Sequence, residues 1–140
     1  MRILNERPPD WIWDACRKQF GDVVHQAVFT YGEALFNPGK ADIPTHLMKH
    51  EETHTRQQLA MGADDWWKKY LADPEFRLDQ EAEAYGNQYK YIYGNKKNGW
   101  ARAEWLTKLA HDLSSELYGR MISMEEAEKL ILERSQIHGT

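Results

Sequence analysis

Two absences narrow the class of protein: the chain has a single cysteine and no long apolar run. Cys16 is the only cysteine among 140 residues, so one chain can form neither an internal disulfide nor a cysteine-based zinc site. No stretch approaches the roughly 20 apolar residues that a transmembrane helix needs. Residues 1–14 carry charges and a proline pair where a signal peptide needs an apolar core. We therefore expect a protein of a reducing compartment such as the cytoplasm.

An excess of basic residues is also missing. Lys and Arg number 18 against 22 Asp and Glu, which gives a net charge of −4 with both signs interspersed. Because a phosphate backbone is bound by a concentrated basic surface, this distribution disfavours a nucleic-acid partner. A hydrophobic content of 41% and a length of 140 residues are typical of one globular domain, here residues 1–140. We expect a monomer that binds neither nucleic acid nor a membrane.

The spacing of apolar residues and of helix-ending residues predicts an α+β fold. Residues 23–36 are rich in β-branched and aromatic types and are interrupted at Tyr31-Gly32-Glu33, which predicts two short strands and a small antiparallel sheet. Apolar residues recur at helical spacing in most of the remaining chain. The predicted helices are residues 11–20 with Trp11 and Ala15 on one face, 45–61, 66–71, 77–93, a helix burying Trp105, Leu109, Leu113 and Leu117, and a last helix capped by Ser123.

Residues 50–54 read His-Glu-Glu-Thr-His, an H-E-x-x-H motif that falls inside the predicted helix 45–61. Histidines four residues apart lie on one face of a helix, so His50 and His54 can bind the same ion. Glu51 lies about 100° further around the helix, where its carboxylate can deprotonate a water without binding the metal. The motif therefore predicts a zinc site with Glu51 as general base. The alternative is a surface helix in which this combination is coincidental.

His46 lies on the same helical stripe as the two predicted ligands. Three residues spread over two turns cannot all converge on one ion, and only the pair His50 and His54 has a glutamate in the base position. His46 is therefore predicted to be solvated or to contact the site from outside.

A catalytic zinc site needs a third protein ligand, and the helix 77–93 offers Glu81 and Glu83. Glu81 shares the apolar face of that helix, whereas Glu83 lies on the polar face. A carboxylate on a buried face is costly unless it is paired or bound to metal, so Glu81 is the predicted ligand. Two alternatives stay open: a rotated helix with Glu81 at the rim, or a buried ion pair between Glu81 and Arg77 or Arg56. Glu33 and Asp42 are weaker candidates.

An H-E-x-x-H helix followed about thirty residues later by a glutamate on a second helix resembles the gluzincin group of zincin metallopeptidases. Tyr85 stands where many members of that group have Asp. Residues 28–93 are also similar to short zincin-like proteins encoded by bacteriophages. The residues that carry this second likeness are Tyr31-Gly32, Asn37-Pro38, 50–54, Gln57-Gln58, Trp66-Trp67, Tyr70-Leu71, Arg77 and 81–85.

The resemblance implies a minimal zincin-like fold and a zinc-dependent hydrolase, a metallopeptidase that cleaves peptide or amide bonds. It also implies a hydrogen-bond donor for the developing oxyanion, for which Tyr85, Tyr118 and His111 are candidates, and a strand at Glu33–Asn37 against which an extended peptide pairs. Two other functions are open. One is a non-catalytic zincin-like structural or phage assembly protein, and the other is a metal-free helical module that binds a partner through its tryptophans.

Overall fold

A computed structural model describes residues 1–115, 118 and 121–137 of the chain. Within these residues the fold is α+β, with six α-helices, one 3-10 helix and a three-stranded sheet. The elements are β1 (Arg2–Leu4), α1 (Asp10–Phe20), the 3-10 helix (Gly21–Gln26), β2 (Phe29–Tyr31), β3 (Ala34–Phe36), α2 (Thr45–Met61), α3 (Ala63–Ala72), α4 (Pro74–Asn95), α5 (Gly99–Leu113) and α6 (Met124–Ser135). No helix in the described ranges is long and apolar enough to cross a membrane.

The sheet is mixed, so the prediction of an antiparallel sheet was only partly right. Strands β2 and β3 pair antiparallel, with Thr30 opposite Leu35, as the turn at Gly32 requires. Strand β1 was not predicted; it pairs parallel with β3 and places Ile3 opposite Leu35. A parallel pair needs a long crossover connection, which α1 and the 3-10 helix supply. The strand order is therefore β1-β3-β2, with β3 in the centre.

Side chains, not another strand, cover the outer edge of β2. The Gln58 side chain donates from Nε2 to the carbonyl oxygen of Thr30 at 2.8 Å and accepts from the backbone N–H of Gly32 at 2.7 Å. Trp67 Nε1 donates to the same Thr30 oxygen at 2.9 Å. These bonds attach the sheet to α2 and α3 and satisfy backbone groups that a fourth strand would otherwise bind.

The apolar core consists of two clusters. One joins α1, the 3-10 helix, β2 and α3, and the other joins α4, α5 and α6 around Tyr118. Leu109 and Leu113 are buried in the second cluster as predicted, and Leu117 lies outside the described residues. Helix α1 buries Trp13, whereas Trp11 is 40% exposed, so the face that carries Trp11 and Ala15 is not the buried one.

Helix ends follow the local sequence. Gly62 adopts a φ of 91° and ends α2 one residue after Met61, a conformation that favours glycine. Pro74 ends the preceding helix and also begins α4, where the Asp73 side chain accepts from the N–H groups of Glu75 and Phe76. Helix α4 therefore starts three residues before the predicted boundary. The predicted capping box at Ser123 and Glu126 begins α6.

Helix α4 packs closely against α6 at Gly86. A Cβ atom at this position would lie 2.7 Å from both the carbonyl carbon and the Cβ of Arg134. Gly94 belongs to the same helix, but a Cβ there would have no neighbour within 4 Å. The two glycines thus differ in packing within one helix.

The substitution Gly86→Ala is expected to lower the free energy of unfolding by about 1–3 kcal/mol, since α6 must move away. The matched change Gly94→Ala is expected to leave it unchanged or raise it by up to about 1 kcal/mol, since alanine favours the helix. Urea unfolding monitored by tryptophan fluorescence measures both. A Gly86→Ala variant as stable as the wild type would contradict the close packing of α4 on α6.

Candidate metal centre

Helix α2 directs both histidines of the H-E-x-x-H motif toward α4. His50 and His54 are each no more than 5% exposed, and their rings lie 5.0 Å apart between centroids. Glu51 and Glu81 are buried as well, at 6% and 4% exposure. The four side chains form one cluster that contacts both apolar clusters, with His50 against Tyr85 and His54 against Trp66.

Glu81 contacts both histidines through a single oxygen atom. Its Oε1 lies 3.0 Å from His50 Nε2 and 3.1 Å from His54 Nε2. Glu83 lies on the outer side of α4, where it accepts from Gln57 Nε2 at 2.7 Å. The structure thus brings His50, His54 and Glu81 together and leaves Glu83 away from them.

The arginines named as alternative partners of Glu81 bind other groups. Arg77 donates to the carbonyl oxygens of Tyr70 and Leu71, at 2.9 Å and 3.2 Å. Arg56 lies 3.4 Å from the hydroxyl of Thr53. Among the described residues, the charge on Glu81 is therefore balanced by the histidines and not by an arginine.

Two glutamines orient the imidazole rings. Gln88 Oε1 lies 3.0 Å from His50 Nδ1, and Gln57 Oε1 lies 2.8 Å from His54 Nδ1. An amide oxygen can only accept, so each Nδ1 carries a hydrogen and each Nε2 is directed at Glu81 Oε1. Both Nε2 atoms therefore face the same point, and a metal ion bound there would replace the hydrogens that they share with Glu81.

His46 connects to the cluster indirectly. Its Nδ1 lies 2.9 Å from Gln88 Nε2, and the oxygen of the same amide holds His50. Burial and the nearby Lys108 and Lys96 lower the pKa of His46, so the ring is neutral at neutral pH and accepts from the amide. His46 thus fixes the orientation of Gln88.

The phenol of Tyr70 was not predicted to belong to the site. Its hydroxyl donates to Glu81 Oε2 at 2.5 Å, so the second oxygen of that carboxylate is also bound. Burial and the Glu81 charge raise the pKa of Tyr70 well above its ordinary value, which keeps the phenol protonated as a donor. Tyr70 shares helix α3 with Trp66 and Trp67, and in the sequence its spacing fits only a core residue.

The charges inside the cluster depend on one another. Burial would raise the pKa of Glu81, but the His54 charge and hydrogen bonds from both histidines outweigh it and hold that pKa well below its usual range. Burial would lower the pKa of His54, but Glu81 outweighs it and raises that pKa to about 9. Glu81 is therefore ionised and paired.

Unlike Glu81, Glu51 has a carboxylate oxygen without a hydrogen-bond partner. Within the described residues its Oε2 is buried without a hydrogen bond, and burial raises the pKa of the carboxyl. The ligand atoms of His50, Glu51 and His54 lie within 4.8 Å of one another. Glu51 is thus beside the histidine pair but outside the direct contacts that Glu81 makes.

The donor set fits a zinc ion. Ligand atoms bound tetrahedrally at about 2.0–2.1 Å lie roughly 3.3 Å from each other. The distances of 3.0 Å and 3.1 Å from Glu81 Oε1 to the two nitrogens are close to this value. Two imidazoles and one carboxylate with outer partners in place are a typical ligand set for zinc.

A cavity of about 230 Å³ adjoins the cluster. Tyr85 and Tyr118 both line it, and their hydroxyl oxygens lie 3.2 Å apart. His111, the third predicted oxyanion donor, is mostly exposed on α5 and does not line the cavity, whereas its neighbour Asp112 does. Two of the three predicted oxyanion donors, Tyr85 and Tyr118, therefore line the same cavity as Glu51.

The weaker ligand candidates Glu33 and Asp42 are exposed.

The prediction that residues Glu33–Asn37 form an edge strand for an extended peptide was wrong. Strand β3 is central and pairs with β1 on one side and β2 on the other. The unpredicted strand β1 occupies the edge that a substrate would have used.

Comparisons of the chain with protein-family models, with curated proteins and with solved structures find no match. The chemistry of the site therefore rests on its own geometry.

The substitution Tyr70→Phe is expected to lower the free energy of unfolding of the chelator-treated protein by about 1.5–3 kcal/mol, because it leaves a buried carboxylate oxygen unpaired. Tyr31→Phe is the matched control, since the Tyr31 hydroxyl donates to Asp64 at the surface, and it is expected to cost less than about 0.5 kcal/mol. Chemical denaturation measures both. Equal effects would show that Tyr70 does not stabilise Glu81.

Proposed function

We propose that this protein is a zinc-dependent hydrolase of the zincin type, a metallopeptidase that cleaves peptide or other amide bonds. His50, His54 and Glu81 are the metal ligands in this proposal, and Glu51 is the general base. The observation that carries it is the single Glu81 oxygen within 3.1 Å of two Nε2 atoms whose rings are held from behind by glutamines. Because both histidines contact Glu81, its burial does not require an ion pair with an arginine.

A bound zinc ion would polarise a substrate carbonyl and lower the pKa of a water toward about 7. Glu51 takes the proton of the attacking water on its free Oε2 and returns it to the departing amine nitrogen. Burial raises the pKa of Glu51, which makes its carboxylate a stronger base for the first step, and the resulting carboxylic acid is still acidic enough to protonate an amine. The buried surroundings keep bulk water from competing for that proton.

Tyr85 and Tyr118 are the proposed donors to the developing oxyanion. Burial raises the pKa of both phenols well above the ordinary value, so both stay protonated. Each hydroxyl already contacts the other, which lets one phenol orient its neighbour toward the cavity.

The competing proposal is a non-catalytic zincin-like structural or assembly protein, and the depth of the cluster favours it. A purely structural metal, however, requires no unpaired carboxylate beside it. Burying Glu51 Oε2 without a partner is costly, and catalysis supplies a reason for that cost.

Metal content tests the ligand assignment. Purified wild-type protein is expected to contain one zinc per chain by elemental analysis, and His54→Ala is expected to contain none. Glu81→Gln is expected to weaken zinc binding at least tenfold, while the matched Glu83→Gln on the same helix leaves it unchanged. A wild-type protein that neither contains zinc nor takes it up at neutral pH would refute the zinc site.

Glu51→Gln separates catalysis from metal binding. This variant is expected to keep one zinc per chain and to lose about 10²-fold to 10⁴-fold in kcat/KM on short peptide amides, because it removes the general base. Retained hydrolysis would remove Glu51 from the mechanism. Loss of zinc from this variant would instead make Glu51 a ligand.

A further inference from the structure

The cavity beside the cluster is small and has both apolar and polar walls. We infer that it binds a compact amide with one apolar side chain, such as a dipeptide, and excludes an extended polypeptide. This inference rests on the proposed function and specifies its substrate class. It also assigns Thr30 as a residue that binds the substrate.

The volume sets the size of the ligand. An apolar cavity of about 150 Å³ accepts benzene, and sites for drug-sized ligands begin at roughly 300 Å³. A cavity of about 230 Å³ lies between these values. It therefore holds one large side chain together with the amide group next to it.

The walls define the chemistry of that side chain. Aromatic and aliphatic residues of α1, the 3-10 helix, β2 and α3 line much of the cavity, among them Phe20, Val24, Phe29 and Trp67. Burying an apolar side chain of the substrate against these residues is favourable by about 1.5–3 kcal/mol.

Two buried polar atoms of the cavity-lining residues have no partner within the described part of the chain. They are Oε2 of Glu51 and the hydroxyl oxygen of Thr30, which is 2% exposed. Both residues line the same cavity. A buried hydroxyl without a partner costs stability, so a ligand group that hydrogen-bonds to it accounts for its presence. Thr30 is placed to bind a polar group of the substrate, while Glu51 acts on the scissile bond.

An extended peptide finds no free strand edge beside this cavity. A chain of six extended residues spans about 20 Å. Residues of α1, the 3-10 helix and α5 line the cavity together with Tyr118. Strand β3 is paired on both sides, and Gln58 and Trp67 occupy the Thr30 carbonyl on the outer edge of β2. A peptide can therefore pair neither with β3 nor with the Thr30 carbonyl of β2, the strand that lines the cavity.

Binding to zinc-loaded Glu51→Gln protein tests the size limit separately from catalysis. The two probes are an N-acetylated dipeptide amide with one phenylalanine and a decapeptide that contains the same pair in its centre. Calorimetry is expected to show at least tenfold tighter binding of the dipeptide amide. Equal or tighter binding of the decapeptide, or no binding of either probe, would overturn the inference. Binding of the dipeptide amide without hydrolysis by the wild type would support the pocket and refute the hydrolase.

Thr30→Val tests the assigned contact with little change in shape. Because the hydroxyl has no partner, this variant is expected to unfold at an equal or higher temperature than the wild type and to bind the dipeptide amide about tenfold more weakly. Thr55→Val is the matched control, since the Thr55 hydroxyl donates to the carbonyl oxygen of Gly32 at 2.9 Å and Thr55 does not line the cavity. It is expected to unfold at a lower temperature with unchanged affinity. Unchanged affinity in Thr30→Val would refute the role of Thr30.

Discussion

A carboxylate buried in the protein interior has to be compensated, and this requirement at Glu81 arranges the centre of the fold. Removing an ionised carboxyl from water costs several kcal/mol unless charged and hydrogen-bonding partners replace the solvent. Those partners are two histidines of α2 and the phenol of Tyr70 on α3. Helices α2 and α3 therefore both contact one side chain of α4, and its two oxygens connect the three helices.

The same side chain is the centre of a longer chain of hydrogen bonds. His50 is bound by Gln88, which also contacts His46. His54 is bound by Gln57, which also contacts Glu83. Such buried polar networks stabilise a structure only when every member is satisfied. Here each described member has a partner, whereas Glu51, which lies beside the network without a hydrogen bond to it, keeps a buried and unpaired Oε2. The exception lies beside the proposed reaction centre, where unpaired groups are expected in enzymes.

Much of the site could be predicted because its signals are local. The spacing of His50 and His54 is set by one helical turn, and the position of Glu81 on the apolar stripe of α4 indicated a buried carboxylate. The partners across helices could not be predicted in this way. Tyr70 fits the core spacing of α3, and Gln57 and Gln88 are ordinary helix residues until α2 and α4 are packed together. These contacts depend on tertiary geometry, which helical periodicity does not contain.

The sheet shows the corresponding limit for strands. The β2–β3 pair follows from a turn and from neighbouring β-branched and aromatic residues, so its signal is local. Strand β1 has only three residues and pairs with a partner about thirty positions away, so nothing near it in the sequence indicates its pairing. The predicted strands began at Val23, which was wrong: Gly21–Gln26 form a 3-10 helix and β2 starts only at Phe29, so Val23 and Val24 lie in the crossover from α1. Because β1 was not predicted, β3 was expected at the edge of the sheet, whereas it lies in the centre.

The edge of β2 has a further consequence, for contacts between molecules. Exposed strand edges invite pairing with other chains and are a common origin of aggregation. The Gln58 amide bonds the carbonyl of Thr30 and the N–H of Gly32 as a neighbouring strand would, but it belongs to a helix and offers no further edge. On the β2 side the sheet can therefore end at this strand, because Gln58, with Trp67 on the same carbonyl, protects that edge against association with another chain.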